Sequence, residues 1–301
     1  MASLKDLRDR IDSVKSTKKI TSAMKLVAGA RLKRAQTAAE SSRPYALRMQ
    51  EVVDNITDSI KNPESFPDIV KGKETDKVHL IVLMTSDRGL CGGFNSSLAK
   101  LAKKKIAELS NLNKTIKILC IGRKGHDQLK RDFLNLIIDT IFLSSHPKID
   151  FEFAERVSSK IIGMYENGEF DSSSIIYSLF KSPLKQEAHV RQIIPAVNDE
   201  KKIEKSKDDN ERKLYDYEPD EKEVLENLIP NNISVQIYRG LLENAAGEQG
   251  ARMTAMDSAT RNAGELIDSL TLNYNRSRQA QITKELIEVI SGAEAVWHGK
   301  K

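Results

Sequence analysis

The sequence predicts an α and β fold with two parts. An antiparallel coiled coil is formed by the N- and C-terminal helices, and a central Rossmann-like α/β domain has a mostly parallel sheet. Three observations predict it. All eight prolines lie between Pro44 and Pro230, so both chain ends lack the main helix breaker. Both ends carry apolar residues at alternating steps of three and four, which is a heptad pattern. The middle alternates strand-like and helix-like segments.

The C-terminal end carries the longest heptad stripe, and residues 231–301 are predicted to form one helix. At a rise of about 1.5 Å per residue, such a helix is roughly 100 Å long, whereas a compact globule of this chain length is about 50 Å across. We therefore expect a projecting rod. The stripe consists of Met253, Met256, Thr260, Ala263, Ile267, Leu270 and Tyr274, preceded by Val235, Tyr238, Leu242 and Ala245 and followed by Ile282, Leu286, Val289 and Ala293.

Glycines recur inside this predicted helix, and each costs about 1 kcal/mol relative to alanine. They are Gly240, Gly247, Gly250, Gly264 and Gly292. Two interpretations stay open from the sequence. The glycines allow close approach of another segment, or they soften the rod.

Residues 1–60 are predicted to form the N-terminal helix. Pro44 need not end it, because the following residues are again helix-like, whereas Asn62-Pro63 is a stop signal. Two heptad helices at opposite chain ends, joined by a compact middle, pair most simply in antiparallel fashion. The first stripe is apolar and then turns small and polar: Leu4, Leu7, Ile11 and Val14, followed by Lys18, Thr21, Lys25, Ala28, Leu32 and Ala35.

Residues 76–196 are predicted to form the α/β domain, and residues 197–230 a charged linker. The linker prediction rests on a shift to charged and polar composition between residues 199 and 223. The expected strands are 79–84, 115–121, 136–143, 174–180 and 189–194. The expected helices are 97–109, 124–132 and 151–166.

Charge is concentrated at the N-terminus. Residues 1–34 hold ten Lys and Arg against three Asp, a net of +7, whereas the whole chain has a net charge of +5. Such a helix either has a solvated face or lies against an acidic neighbour. Nucleic-acid binding is the weaker alternative, because no aromatic side chain accompanies these charges before Tyr45.

Composition also excludes several classes of protein. No apolar run approaches 18 residues, so no membrane span is expected. The charged start MASLKDLRDRID lacks the apolar region of a secretory signal. Cys91 and Cys120 are expected to be free thiols, and the five histidines do not show metal-ligand spacing. We therefore expect no metal site and no catalytic residue.

The glycine-rich turn SDRGLCGGFNSSL at 86–98 is the strongest enzymatic candidate. Glycines between a strand and a helix can present N–H groups to a phosphate, and a dinucleotide-binding oxidoreductase using GLCGGFN is the alternative function. However, Gly89, Gly92 and Gly93 do not give G-x-G-x-x-G, and no acidic residue ends the second strand at Ile121. Cys91 lacks a nearby His to activate it as a nucleophile. A tight turn without cofactor is favoured.

Three segments together resemble one family. They are KITSAMKLVAGARLKRAQ at 19–36, the glycine turn, and ENAAGEQGARMTAMDSATRNAGELIDSLTLNYNRSRQAQITKELIEVISGAEAV at 243–296; YDYEPDEKEVLENLIP at 215–230 also fits. The chain resembles the gamma subunit of F-type ATP synthases over essentially its whole length. The resemblance implies a non-catalytic rotor shaft of the central stalk. The shaft transmits rotation of the membrane ring to the catalytic beta subunits during ATP synthesis, or drives proton pumping in reverse.

The resemblance also implies partners and contact residues. The expected partners are three alpha and three beta subunits, the epsilon subunit and the membrane c-ring, with neither a cofactor nor nucleic acid. The basic N-terminal surface would face an acidic loop of the beta subunits. The expected subunit-coupling contacts are Met24, Lys25, Arg88, Cys91 and Arg252 near the collar of the shaft, and Gln279, Thr283 and Glu285 near its upper contact with the head.

Some positions depart from the family pattern. Gly29, Gly247 and Gly250 stand where the family more often has helix formers, which puts local stiffness in question. The 199–213 loop carries no cysteine, so the redox switch of plant members is not expected. A plain Met start without a transit peptide favours a bacterial source, with the complex on the cytoplasmic face of the inner membrane.

Overall fold

A computed structural model of the chain describes residues 3–59, 67–73, 75–145, 149–196 and 221–298. It confirms the α and β fold class. The helices are α1 (Leu4–Ser59), α2 (Asp68–Lys71), α3 (Phe94–Asn111), α4 (Arg123–Phe133), α5 (Phe151–Glu166) and α6 (Glu221–His298). The strands are β1 (Val78–Met84), β2 (Thr115–Ile121), β3 (Ile137–Ile141), β4 (Ser172–Ser182) and β5 (Lys185–Ile194).

The strands form one sheet in the order β3-β2-β1-β4-β5. β1 pairs in parallel with β2 and β4, and β2 pairs in parallel with β3. β5 is antiparallel to β4, because a tight hairpin joins these two strands. The sheet is therefore mostly parallel, as the alternation of strands and helices predicts.

The central strands β1 and β2 are mostly apolar on both faces because helices cover both faces of the sheet. One core lies between the sheet and α5 together with parts of α1 and α6, and includes Leu80, Val82, Phe153 and Ile237. The other lies between the sheet and α3 and α4, and includes Leu83.

The chain divides into two compact units. The central unit is Ala28–Arg252 and contains the sheet, the C-terminal part of α1 and the N-terminal part of α6. The coil unit is Met1–Val27 with Met253–Lys301 and contains the remaining parts of the same two helices.

Helix α1 continues through Pro44 to Ser59. Proline inside a helix removes a hydrogen bond and costs about 3 kcal/mol. Burial compensates here, since Ala39, Ala46 and Val53, at seven-residue spacing, are all buried. The stop signal Asn62-Pro63 lies outside the described residues.

The expected start of the C-terminal helix at residue 231 is wrong. Helix α6 begins at Glu221 and includes Pro230, so the last part of the expected 197–230 linker is helical. The reason is burial, because Leu225 and Ile229 are fully buried in the first core and continue as Ile233 and Ile237 on the same helix face. Residues 197–220 lie outside the described part.

Close packing explains three of the α6 glycines. A Cβ added at Gly247 would lie 2.9 Å from Ser178 Oγ and 3.1 Å from Phe94 Cε2, and one at Gly240 would lie 3.2 Å from Met84 Sδ. At Gly250 the Pro183 carbonyl oxygen would be 3.3 Å away. In the central unit these glycines therefore mark close approach of α6 to the sheet.

Gly247→Val is expected to lower the free energy of unfolding by about 2 kcal/mol, because overpacking a close contact displaces its neighbours. Urea unfolding followed by far-UV circular dichroism measures this. Gly292→Val is the matched control, because a Cβ at Gly292 meets nothing within 4 Å. It should change stability by less than about 0.5 kcal/mol. Equal loss in both variants would contradict the packing interpretation.

Candidate functional site

Within the coil unit, α1 and α6 pair in antiparallel fashion through a partly polar seam. Thr260 Oγ1 donates to Thr21 Oγ1 at 2.8 Å, and Lys25 Nζ lies 2.6 Å from Asp257 Oδ1. Met256, Ala263 and Leu270 are buried at the expected heptad positions, and so is Ile11 on α1. The antiparallel coiled coil predicted from the heptads is thus confirmed.

The expected contact residues Met24 and Lys25 lie on this coil and are half-buried. Lys25 is held in the ion pair with Asp257, and its hydrogen bond is the main cause that lowers the pKa of that carboxyl. Three apolar neighbours on the same helix are more exposed than this pair: Ile20, Leu26 and Val27. Exposed apolar side chains beside a fixed cation make a surface of mixed apolar and cationic character.

The expected contacts Gln279, Thr283 and Glu285 lie farther along α6 and are all exposed. Gln281 Nε2 donates to Glu285 Oε1 at 3.0 Å, and Thr283 Oγ1 donates to the Gln279 carbonyl at 2.9 Å. The structure therefore leaves these groups on the helix surface, with hydrogen bonds only to their own helix among the described contacts.

The heptad stripe does not stay buried in this region, contrary to the expectation that Ile282, Leu286 and Val289 extend the seam. These side chains are 45%, 56% and 70% exposed, and every described side chain from 278 to 292 is exposed. We call residues 278–292 the bare segment of α6. Its apolar residues are not covered by any described part of the chain.

In the central unit, the glycine turn after β1 is compact and is held by side-chain hydrogen bonds. Asn95 Oδ1 accepts from the Ser86 N–H at 3.0 Å, and Asn95 Nδ2 lies 3.2 Å from Cys91 Sγ. Cys91 is only 2% exposed, and burial is the main cause that raises the pKa of its thiol. Cys91 therefore supports the turn from inside.

The tip of the same turn presents Leu90, which the sequence reasoning did not single out. Leu90 is 63% exposed and has a φ of 62°, in the left-handed region that is unfavourable for a leucine. Arg88 beside it is also exposed. A large apolar residue between Gly89 and Gly92 is the sequence signal that could have identified it.

Arg252 is 8% exposed and fixes the turn to α6. Its Nη2 donates to the Gly89 carbonyl at 3.2 Å, and its Nη1 lies 2.7 Å from Glu248 Oε1. Burial is the main cause that raises the pKa of Glu248, against the opposing effect of Arg252. The structure thus brings Arg88, Cys91 and Arg252 together at one turn, with Arg88 outermost.

Side chains fill the inner side of the glycine turn. Cys91 and Asn95 are both buried there, and Asn95 Nδ2 lies within hydrogen-bond distance of Cys91 Sγ and donates to Ser86 Oγ. Among the described residues, no group of His, Cys, Asp or Glu could hold a metal ion. In the same part of the chain, no helix has the length and apolar character that a membrane crossing requires.

Comparisons with known proteins identify one family. A family model described as ATP synthase matches residues 3–296. The ATP synthase gamma chain of Sinorhizobium medicae (strain WSM419) is 54% identical over 296 residues, covering 98% of this chain and 100% of that one. The gamma chain of Paracoccus denitrificans (strain Pd 1222) is 50% identical with the same coverage.

Solved structures share the fold. A chain of the Euglena gracilis mitochondrial ATP synthase (OSCP/F1/c-ring, rotational state 3) has a TM-score of 0.70 at 19% identity, covering 99% of this chain and 96% of that one. A chain of the Tetrahymena thermophila enzyme (central stalk/c-ring) has a TM-score of 0.59 at 22% identity, covering 80% and 99%. The shared fold is thus a central, mostly parallel α/β sheet carried with two long terminal helices, a class that includes subunits of these ATP synthase assemblies. The chain belongs to the ATP synthase gamma chain family.

Proposed function

We propose that this chain is the rotating shaft of an F-type ATP synthase. It transmits rotation of a proton-driven membrane ring to catalytic beta subunits during ATP synthesis, and in reverse transmits ATP-driven rotation to the ring. The chain itself carries out no chemical step. Its partners are three alpha and three beta subunits, an epsilon subunit and a c-ring, on the cytoplasmic face of a bacterial inner membrane.

The bare segment of α6 is the observation that carries this proposal. A single helix in water is marginal without tertiary packing, and this one exposes Ile282, Leu286, Ile287, Val289 and Ile290. Such a surface fits inside an apolar cavity lined by the subunits of the head. Gln279, Thr283 and Glu285 are proposed to make the polar contacts of the same segment.

Coupling also requires contacts that differ between catalytic sites. To move one site from 1:99 to 99:1 between two states, its contacts must differ by about 5.5 kcal/mol. Ion flow supplies roughly 2.3 kcal/mol per charge per 100 mV, so several ions per step suffice. An asymmetric helix pair within a threefold ring offers each catalytic site a different face at any moment.

At the glycine turn, we assign the direct contact to Arg88 and Leu90, since both are exposed. Cys91 and Arg252 are proposed to act as positioning residues, because their side chains are buried. Arg252, on α6, also donates a hydrogen bond to the Gly89 carbonyl of the turn. The cationic surface near Lys25 fits an acidic segment of a beta subunit.

Reconstitution tests the proposal. The chain should co-purify with a complex of three alpha and three beta subunits, and membranes lacking the chain should hydrolyse ATP without pumping protons.

Calorimetric titration of the chain with NAD, NADP and ATP tests the oxidoreductase alternative, and micromolar binding there would count against a purely mechanical role. Salt-dependent retention on DNA would instead favour a nucleic-acid binder.

Met24→Lys in the assembled complex is expected to reduce proton pumping more than ATP hydrolysis, because it adds a cation beside Lys25 on the proposed collar surface. Pumping is measured by fluorescence quenching in inverted vesicles, and hydrolysis by phosphate release in the same vesicles. Met24→Leu keeps size and polarity and is the matched control, expected to leave the ratio of the two rates unchanged. An equal loss of both activities in Met24→Lys would argue against this assignment.

A further inference from the structure

The central unit contains a cluster of cationic and amide side chains that the coupling surfaces do not use. It lies where the first core meets β5. Arg191 pairs across the sheet with Ile175, and His189 with Tyr177, which places both β5 side chains on the face that α1 and α6 cover. The Tyr177 and His189 rings meet edge to face at 5.7 Å.

Helix α6 contributes the other side of the cluster. Asn232, Gln236 and Arg239, spaced by four and three residues, share one helix face. Gln236 Nε2 donates to Asn232 Oδ1 at 3.2 Å and to Gln50 Oε1 of α1 at 3.4 Å. Arg191 Nη2 donates to the same Gln50 oxygen at 3.3 Å, so three elements converge here.

Two polar side-chain atoms of this cluster are unsatisfied. Arg239 Nε and Gln236 Oε1 are both buried, and neither has a hydrogen-bond partner among the described residues. Gln236 as a whole is 5% exposed. A buried donor or acceptor left unpaired is unfavourable, so Arg239 Nε calls for an acceptor and Gln236 Oε1 calls for a donor.

The charges around these atoms favour an anion. Burial is the main cause that lowers the pKa of Arg191, and Arg239 contributes to the same direction. Burial, followed by Arg191 and Arg239, lowers the pKa of His189. The nearby carboxylates have other partners: Glu243 binds Arg43, Glu187 binds two lysines, and Asp54 accepts from Gln50 Nε2 at 2.8 Å.

We propose that this cluster binds free hydrogen phosphate. The P–O oxygens accept from Arg239 Nε and from the guanidinium of Arg191, and the remaining P–OH donates to Gln236 Oε1. Guanidinium groups match the geometry of phosphate oxygens, and charge-assisted hydrogen bonds are the stronger kind. Sulfate has the same shape and charge but no hydroxyl at neutral pH, so it cannot satisfy Gln236. The site is separate from the proposed coupling surfaces.

Isothermal titration calorimetry of the purified full-length chain, with sodium phosphate and sodium sulfate at matched ionic strength and pH 7.5, tests the proposal. Phosphate is expected to bind saturably at one site, and sulfate about fivefold more weakly or worse, since leaving a buried acceptor unpaired costs at least about that factor. Equal binding of both anions, or no saturable phosphate binding, would overturn the proposal. A water molecule bridging the two atoms would give the latter result.

Arg239→Gln is expected to weaken phosphate binding about tenfold or more, because it removes a charge-assisted donor. Arg131→Gln makes the same charge change at an exposed arginine on α4 and should leave the affinity unchanged. Equal weakening in both would show a non-specific charge effect and reject the site. If Arg239→Gln fails to fold, Gln236→Leu decides: it must abolish the preference for phosphate over sulfate.

Discussion

Arg43→Ala is expected to lower the free energy of unfolding by about 3–5 kcal/mol, because it leaves a buried carboxylate without its counter-ion. Glu243 is fully buried, and Arg43 Nε and Nη2 contact its two oxygens at 2.8 and 3.1 Å. The hydrogen bond from this pair is the main cause that raises the pKa of Arg43.

The same ion pair also hydrogen-bonds the backbone at the edge of strand β4, so its loss should destabilise that strand as well as the pair itself. The pairing of β1 with β4 ends at Ile176, and β4 continues. There the Phe180 N–H donates to Glu243 Oε2 at 2.9 Å, and Arg43 Nη2 donates to the Phe180 carbonyl at 3.0 Å. Asn244 Oδ1 accepts from the Ser178 N–H at 3.2 Å. Side chains of α1 and α6 thus replace a neighbouring strand.

Urea unfolding followed by circular dichroism measures the loss, and amide exchange at Phe180 reports on the strand edge. Arg131→Ala, at an exposed arginine of the central unit, is the control and should cost less than about 0.5 kcal/mol. The double variant Arg43→Met with Glu243→Leu should be more stable than Arg43→Ala, since no buried charge remains. A double variant as unstable as the single one would show that packing, and not the charge, decides.

Acidification from pH 6.5 to pH 4 is expected to destabilise the central unit by about 3 kcal/mol through His79 alone. Burial, followed by Lys105 and Lys114, lowers the pKa of His79 to about 4, against the opposing effect of Asp76. Between that value and its ordinary pKa of 6.5, the unfolded chain binds a proton that the folded chain does not. The contribution of His79 to the free energy of unfolding is therefore fully present above pH 6.5, and it is lost as the pH falls toward 4.

The hydrogen bonds around His79 explain why the neutral ring is favoured. Ser172 Oγ donates to Asp76 Oδ1 at 3.0 Å, so His79 Nδ1 must donate to Ser172 Oγ, 2.7 Å away. His79 Nε2 then accepts from Ser174 Oγ at 2.6 Å. A second proton on Nε2 would remove that acceptor and place a charge in a buried site.

Urea unfolding at several pH values measures the dependence, taken as the difference between the protein and His79→Gln, which does not titrate. The difference should change by about 1.1 kcal/mol per pH unit between pH 6 and pH 4.5. His126→Gln, the same change on α4, should retain the acid dependence of the unchanged protein. A parallel pH dependence in His79→Gln would show that His79 is protonated in the folded state.

Much of the fold could be predicted because it depends on local patterns. The five expected strands lie within two residues of β1–β5 or inside them, since apolar runs with turn signals define strands directly. The start of α6 could not be predicted, because the charged residues before Leu225 resemble a linker. The burial that makes them helical comes from the sheet, far away in sequence.

The candidate site was only partly predictable for the same reason. The turn at 86–98 and the shaft positions follow from motif and resemblance, and their coupling role stays a prediction. Exposure separates Arg88 and Leu90 from Cys91 and Arg252, and exposure depends on which side chains the turn packs inward. The Arg191 and Arg239 cluster has no sequence signal, since its members come from β5 and α6.

The sequence by itself determined the two heptad helices, the alternating α/β middle and the family, because periodicity, breakers and long motifs are properties of contiguous residues. The tertiary structure alone decided which glycines mark close packing, where the heptad seam loses its partner, and how α1 and α6 complete the β4 edge through Arg43 and Glu243. These features depend on atoms brought together from distant parts of the chain, and a linear pattern carries no record of such distances.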